Sequence, residues 1–364
     1  MTRVLWVQAA RKSNEKGKKK EMTPREIIKR NVEFSGPDRI GFAFSDGRLN
    51  DFCIADISPS NTWNPRKWVE GDIEYYDDEW GNIWHRLKSM SKGGEIYRPA
   101  IEDWSHLKEY TLPALADPGR YQHAKEIFEN NNEHYHLANL PGFPFAICRY
   151  LRKMEIYFQD LVNNREHIDY LHDKVTSLLE EMIRQYAQAA GTDGVFFCED
   201  WGIQDRLLIS PNMWREIYKP LYKRLCDVAH SEGIHVFMHS CGYNWLILDD
   251  LAEVGVNVFQ FDQPNIYDIT RLAEKLKHLR VCLFSPVDIQ TVLPKGNREL
   301  IENEARKMVE LFGGAHGGLI VKNYGDLQGV GVQPEWDQWA YEMFVNHKES
   351  PIGRKNHLQP LRRI

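Results

Sequence analysis

His239-Ser240-Cys241-Gly242 follows directly on the apolar run Ile234-His235-Val236-Phe237-Met238. In an extended segment residues two apart point to the same side, so an imidazole nitrogen and a thiolate can converge just beyond the end of a strand. A borderline and a soft donor meeting there suit zinc, and the pair reads as half of a zinc site. The structural alternative for Cys241 is a small buried residue.

Other reactive side chains recur at comparable places. Glu199, Asp200 and Gln204 follow Val195-Phe196-Phe197-Cys198, and Gln260, Asp262 and Gln263 follow Val258-Phe259. Ser285, Asp288 and Gln290 come after Val281-Cys282-Leu283-Phe284, and Lys322, Asn323 and Tyr324 after Leu319-Ile320-Val321. Groups just beyond the C-terminal ends of strands share one rim of a βα barrel. On this reading Glu199, Asp200, Asp288 and Lys322 are candidate catalytic groups, and Trp201, Gln204, Gln260, Asn323 and Tyr324 candidate substrate contacts. A carboxylate placed as Glu199 is, beside Phe196-Phe197-Cys198, needs a metal, a cation or a proton.

Each of these has a structural alternative. Asp200 or Asp288 could cap a turn, Gln260 and Gln263 could satisfy loop backbone groups, and Glu199 could pair with Lys322. Among the tryptophans, Trp201 and Trp245 could wall a mouth for a flat or apolar ligand. His134 and His136 read as part of a polar helix, and His167 and His172 as surface or core residues.

The elements that would hold these groups alternate. Thr23-Pro24-Arg25-Glu26 opens a helix with a capping box and a proline at the first helical position. Residues 38–44 read as a first strand, and 46–117, rich in Trp, Pro, Gly and Asp, as an irregular but ordered insertion or lid. From 121 the spacing predicts a helix to 136, a strand over 143–150, helices filling 151–189 and a strand over 194–198. Then come helix 211–231, strand 234–238, helix 244–254, strand 256–261, helix 268–277, strand 280–284, helix 297–312, strand 318–322 and helix 335–346. Short apolar strands between longer amphipathic helices predict parallel βα units closing into a (β/α)8 barrel of the TIM type. The expected boundaries are a basic arm at 1–21 that is a candidate for disorder, the barrel at 22–348 and a tail at 349–364.

With 364 residues, 42% of them hydrophobic, the chain can bury one large core. Its net charge of -6 gives no electrostatic reason for a nucleic-acid partner. No apolar stretch is long enough to span a membrane, and a cytoplasmic location is expected. The six cysteines form no C-x-x-C pair and are expected to be reduced.

The order of segments resembles the uroporphyrinogen decarboxylase superfamily of βα barrels, and within it the branch of corrinoid-dependent methyltransferases. The marks are Met22-Thr23-Pro24-Arg25-Glu26 with Pro37-Asp38-Arg39, Glu199-Asp200-Trp201-Gly202-Ile203-Gln204 followed by Leu208-Ile209-Ser210-Pro211, and Met238-His239-Ser240-Cys241-Gly242. Pro286-Val287-Asp288-Ile289-Gln290 with Leu293-Pro294, and Gly317-Gly318-Leu319-Ile320-Val321, complete them. The resemblance implies zinc held by the H-x-C pair and a further cysteine after the last strand, with a corrinoid (cobalamin) protein docking at the mouth. His239 and Cys241 match, whereas Lys322-Asn323-Tyr324-Gly325 offers no cysteine. The third ligand is then expected from Glu199, with Asp288, or Cys282 if it faces the mouth, as substitutes.

The function so implied is transfer of a methyl group between a small methylated substrate and a corrinoid protein or thiol. The decarboxylase itself binds the carboxylates of a porphyrinogen through an arginine-rich segment near its N-terminus. Here Arg39 and Arg48 stand isolated, which leaves decarboxylation as the alternative and a metal-free binding barrel as a second one.

Overall fold

The computed structural model describes residues 21–89 and 93–348. Most of the expected basic arm, 1–20, and the expected tail, 349–364, lie outside the described residues. Thr23 caps the first helix, α1 (Pro24–Glu33), accepting from the Glu26 backbone N–H while the Glu26 carboxylate accepts from that of Thr23.

Strands β1 (Gly41–Ala43) and β2 (Phe52–Ala55) follow. A separate antiparallel sheet comes next: β3 (Lys67–Glu70), β4 (Ile73–Asp77), β5 (Ile83–Leu87) and β6 (Glu95–Arg98). The chain then alternates through α2 (Gln122–Glu129), β7 (Tyr135–Asn139), α3 (Pro144–Arg152), α4 (Met154–Asn163), α5 (Arg165–Gln185) and β8 (Gly194–Cys198). It continues with α6 (Pro211–Ile217), α7 (Lys219–Ser231), β9 (His235–His239), α8 (Leu248–Glu253), β10 (Val258–Gln260) and α9 (Ile269–Leu279). Finally come β11 (Cys282–Ser285), α10 (Arg298–Phe312), β12 (Leu319–Lys322) and α11 (Pro334–Asn346).

Strands β1, β12, β11, β10, β9, β8, β7 and β2 pair in that order, all parallel. A bond from Asp51 N–H to Phe42 O, 2.8 Å, ties the two ends of the order, so the sheet forms a nearly closed (β/α)8 barrel. Alternate side chains serve two cores. Phe52, Tyr135, Phe237, Val258, Cys282, Phe284 and Ile320 fill the interior together with Ile28 and Val32 of α1. Since Phe52, Tyr135 and Cys282 begin their strands, α1 plugs the end where strands start. The other parity, including Val195, Phe197, Val236 and Met238, packs outward on the helices.

Two expectations are corrected. The segment 143–150 is not a strand: Pro144 begins a helix, where its missing N–H and fixed φ fit, and the strand is Tyr135–Asn139, expected as the end of a helix. His136 therefore sits on β7. Region 46–117 is not irregular, since it supplies barrel strand β2 and the whole antiparallel sheet. That sheet lies against the barrel through the Trp84–Tyr150 edge contact, with ring centroids 4.8 Å apart. No helix among the described residues is long and apolar enough to cross a membrane.

Candidate metal centre

The centre is built by two neighbouring strands. In the β8–β9 register Cys198 lies opposite His239, and Glu199 N–H donates to His239 O at 2.9 Å, carrying the pairing one residue past β8. Beyond the strands the two loops touch backbone to backbone. A Cβ on Gly242, whose φ is +76°, would fall 2.2 Å from the carbonyl carbon of Gly202, so a glycine is required there. Asn244 Nδ2 donates to Ser240 Oγ and to the carbonyl of Gly242, and Tyr267 Oη donates to that carbonyl at 2.7 Å. The turn carrying Cys241 is thereby fixed.

Asp200, His239 and Cys241 bring one oxygen, one nitrogen and one sulfur within 4.8 Å of one another. His239 Nε2 lies 3.4 Å from Cys241 Sγ and 3.5 Å from Asp200 Oδ1, and Asp200 Oδ1 also accepts from Cys241 N–H at 2.8 Å. Bonds of about 2.0–2.3 Å to a tetrahedral ion space the donors about 3.3–3.8 Å apart. The two distances measured from Nε2 fall in that range, so the residues present fit zinc.

The imidazole is held in one orientation and one tautomer. Asp262, as a carboxylate, can only accept, so Gln260 Nε2 donates to its Oδ1 at 2.7 Å and the Gln260 oxygen must face His239 Nδ1, 2.6 Å away. Nδ1 then carries the proton and the Nε2 lone pair faces Cys241 and Asp200, the outer-shell support usual for a metal-bound histidine. Lys322 Nζ reaches the same Asp262 oxygen at 3.3 Å. Burial raises the Cys241 thiol above its ordinary pKa, and the Asp200 and Asp262 carboxylates raise it further. A dication must displace that proton to bind the sulfur.

The remaining sequence candidates are dispersed. Glu199 is no member of the donor cluster: fully buried behind β8, it accepts from Ala146 N–H at 2.9 Å and from the Tyr222 hydroxyl. Burial pushes its pKa up to about 7, against the lowering effect of Tyr222 and the Ala146 N–H. The Glu199–Lys322 pair, the structural alternative for both residues, does not form, and Lys322 pairs with Asp262 instead. Asp288, also buried, caps the turn at Gln290 and Thr291 and accepts from Asn265 N–H, so it is a structural tie. Cys282 is enclosed in the barrel interior.

Trp201 faces the helices rather than the mouth, stacked 4.0 Å from Phe145 and donating its indole N–H to Tyr222 Oη. Asn323 is engaged by Ser45, bonding both its backbone N–H and its hydroxyl. Gln204 is exposed on its loop, and Trp245 lies under the Arg271 guanidinium. Tyr324 is within electrostatic reach of the centre: its phenol is raised by burial, then by Asp262, Cys241, Asp326 and Asp200. Beside the end of β7, Trp80 and Trp84 wall a cavity of about 260 Å³ together with Pro141, Ile147 and Tyr150. Asp78 holds both, accepting from Trp80 N–H and from Trp84 Nε1.

The sequence matches the family description "Uroporphyrinogen decarboxylase (URO-D)" over residues 90–346. The chain belongs to the uroporphyrinogen decarboxylase family. A solved methyltransferase from Methanosarcina mazei has the same fold, with a TM-score of 0.54 at 17% identity over 74% of this chain and 75% of that one. An endo-beta-1,4-xylanase from Gloeophyllum trabeum reaches a TM-score of 0.40 at 10% identity, covering 62% of this chain and 80% of that one. A D-psicose 3-epimerase from Clostridium cellulolyticum H10 reaches 0.39 at 11% identity, over 67% and 86%. No curated protein matches the chain.

Of the candidates for the arginine-rich segment of the uroporphyrinogen decarboxylase family, the two arginines that follow α1 are already engaged. Arg39 forms a bidentate pair with Asp51, both contacts 2.7 Å, and Arg48 pairs with Asp337 at 2.7 Å. Neither is free to neutralise the carboxylates of a porphyrinogen.

Proposed function

We propose that the protein is a zinc-assisted methyltransferase of the corrinoid-linked type, moving a methyl group between a small methylated substrate and a cobalamin-bearing partner protein or a thiol. The observation that carries the reading is the Asp200–His239–Cys241 donor set with its Gln260–Asp262 support. Family membership and the methyltransferase fold neighbour agree with it. Asp200 takes the place expected for Glu199, and Cys241 supplies the soft ligand. Bound zinc would supply a Lewis acid for the methyl donor or acceptor. The chain's own contribution is to hold His239 in one tautomer and to balance Asp262 against Lys322 at the rim. It also presents Tyr324 and, at the β7 side, the Trp80–Trp84 cavity to whatever enters.

The test is spectroscopic. Zinc-loaded protein, a reduced corrinoid protein and a panel of methylated and methoxylated compounds should give the methylcobalamin spectrum with at least one compound, and His239→Ala should not. Absence of that spectrum across the panel, with porphyrinogen decarboxylation in its place, would overturn the reading in favour of the family's other chemistry.

A further inference from the structure

Cys198 has no part in the sequence expectations, yet the strand geometry sets it beside the donor set. It is the last residue of β8, opposite His239 in the register and two residues before Asp200. Parity along β8 is unambiguous: Val195 and Phe197 pack outward with the helices, Phe196 packs against the barrel interior, and Glu199 is buried outward. Cys198 and Asp200 therefore share the mouth side with His239 and Cys241. Two adjacent parallel strands, about 4.8 Å apart, each present an i, i+2 pair of metal-ligating side chains at the same height.

The four cysteines with other surroundings are accounted for. Cys148, Cys226 and Cys282 are buried, and Cys53 Sγ bonds Ile127 O. Cys198 is exposed at the mouth.

Resting on the metal-centre reading above, we propose that Cys198 supplies a second thiolate to the same ion, making the donor set Cys198, Asp200, His239 and Cys241. In its present rotamer Cys198 stands outside the group whose donor atoms lie within 4.8 Å of one another. Rotation about χ1 between staggered wells moves its sulfur without moving the backbone. The cysteine that the family resemblance places after the last strand is absent here, and Cys198 restores the same sulfur count from β8, the strand paired with β9. Two thiolates, an imidazole and a carboxylate form a tetrahedral set of the kind zinc takes.

Zinc K-edge X-ray absorption on the full chain counts sulfur ligands directly. The wild type should show two sulfurs per zinc, and Cys198→Ser and Cys241→Ser one each. Competition with a chromophoric chelator should show Cys198→Ser binding zinc about 10- to 100-fold more weakly, with Cys198→Ala as a second variant should the serine protein misfold. One sulfur in the wild type, or an unchanged count in a folded Cys198 variant, would overturn the assignment while leaving the three-residue centre intact. A wild type that binds no zinc would remove the centre and this assignment together.

Discussion

Glu199 and Asp200 are adjacent carboxylates with opposite surroundings. Glu199 is fully buried against Ala146 and Tyr222, whereas the Asp200 side chain is 44% exposed and shares its space with His239 and Cys241. One step along an extended segment crosses from the helix layer to the mouth. Residue type says only that both can bind a cation; parity decides which one faces His239 and Cys241. Behind β8 the polar groups are consumed internally, through Tyr222 to Trp201, whose ring packs 4.6 Å from Tyr218. Tyr218 continues the chain through the Tyr157 hydroxyl to His172. At the mouth they converge on a common point.

The contrast can be broken from either side. Glu199→Ala leaves the Ala146 N–H and the Tyr222 hydroxyl without a buried acceptor and opens a void, so it should cost about 3 kcal/mol in denaturant unfolding while zinc stoichiometry is retained. Zinc loss from a folded Glu199→Ala protein would place that carboxylate in the centre after all. Asp200→Ala should do the reverse, weakening zinc about 100-fold in chelator competition, equivalent to about 2.7 kcal/mol, with a smaller change in the stability of the metal-free chain.

His172 sharpens the rear half of the comparison through pH. Burial lowers its pKa to about 3 from the ordinary 6.5. The unfolded chain therefore takes up a proton below pH 6.5 that the folded chain refuses, and this contribution to stability is lost as pH falls from 6.5 towards 3. Between pH 6.5 and 5 the wild type should lose about 2 kcal/mol more than His172→Gln, measured by urea unfolding at each pH. Equal losses in the two proteins would show that His172 is not held neutral. The smallest effect is expected at Gln260→Leu, which frees the His239 tautomer: zinc affinity should drop about 10-fold with unfolding little changed. Unaltered affinity would show that the Gln260 contact does not orient the ring.

Much of this was legible in the chain. Strand β8 and the ends of β9 and β12 follow from apolar runs that stop at polar side chains, and the period of two that pairs His239 with Cys241 holds in the fold. The same period applied one strand earlier pairs Cys198 with Asp200 and turns Glu199 away, a signal present in the sequence beside the competing one of a carboxylate in an apolar setting. The swap of strand and helix around β7 and α3 has a different origin. Phe143-Pro144-Phe145-Ala146-Ile147-Cys148 is apolar throughout, so it carries no period that separates a buried strand from a buried helix, and only Pro144 marks a helix start. In the antiparallel sheet, the two-residue turn Gly71-Asp72 between alternating segments is a hairpin signal, and Trp and Tyr favour strands. At Asp288 the turn cap was among the readings of the sequence, but the bond from Asn265 N–H was not legible, because Asn265 comes from a different βα unit.

The mouth-facing side chains of β8 and β9 are proposed to hold one metal ion. Zinc content of protein purified without chelator or nickel affinity, wild type against Cys241→Ala, tests this most directly. About one zinc per chain in the wild type, lost in a Cys241→Ala protein that still melts as a folded chain, is the predicted result. No zinc in the wild type after zinc is offered, or equal zinc in both proteins, would contradict it.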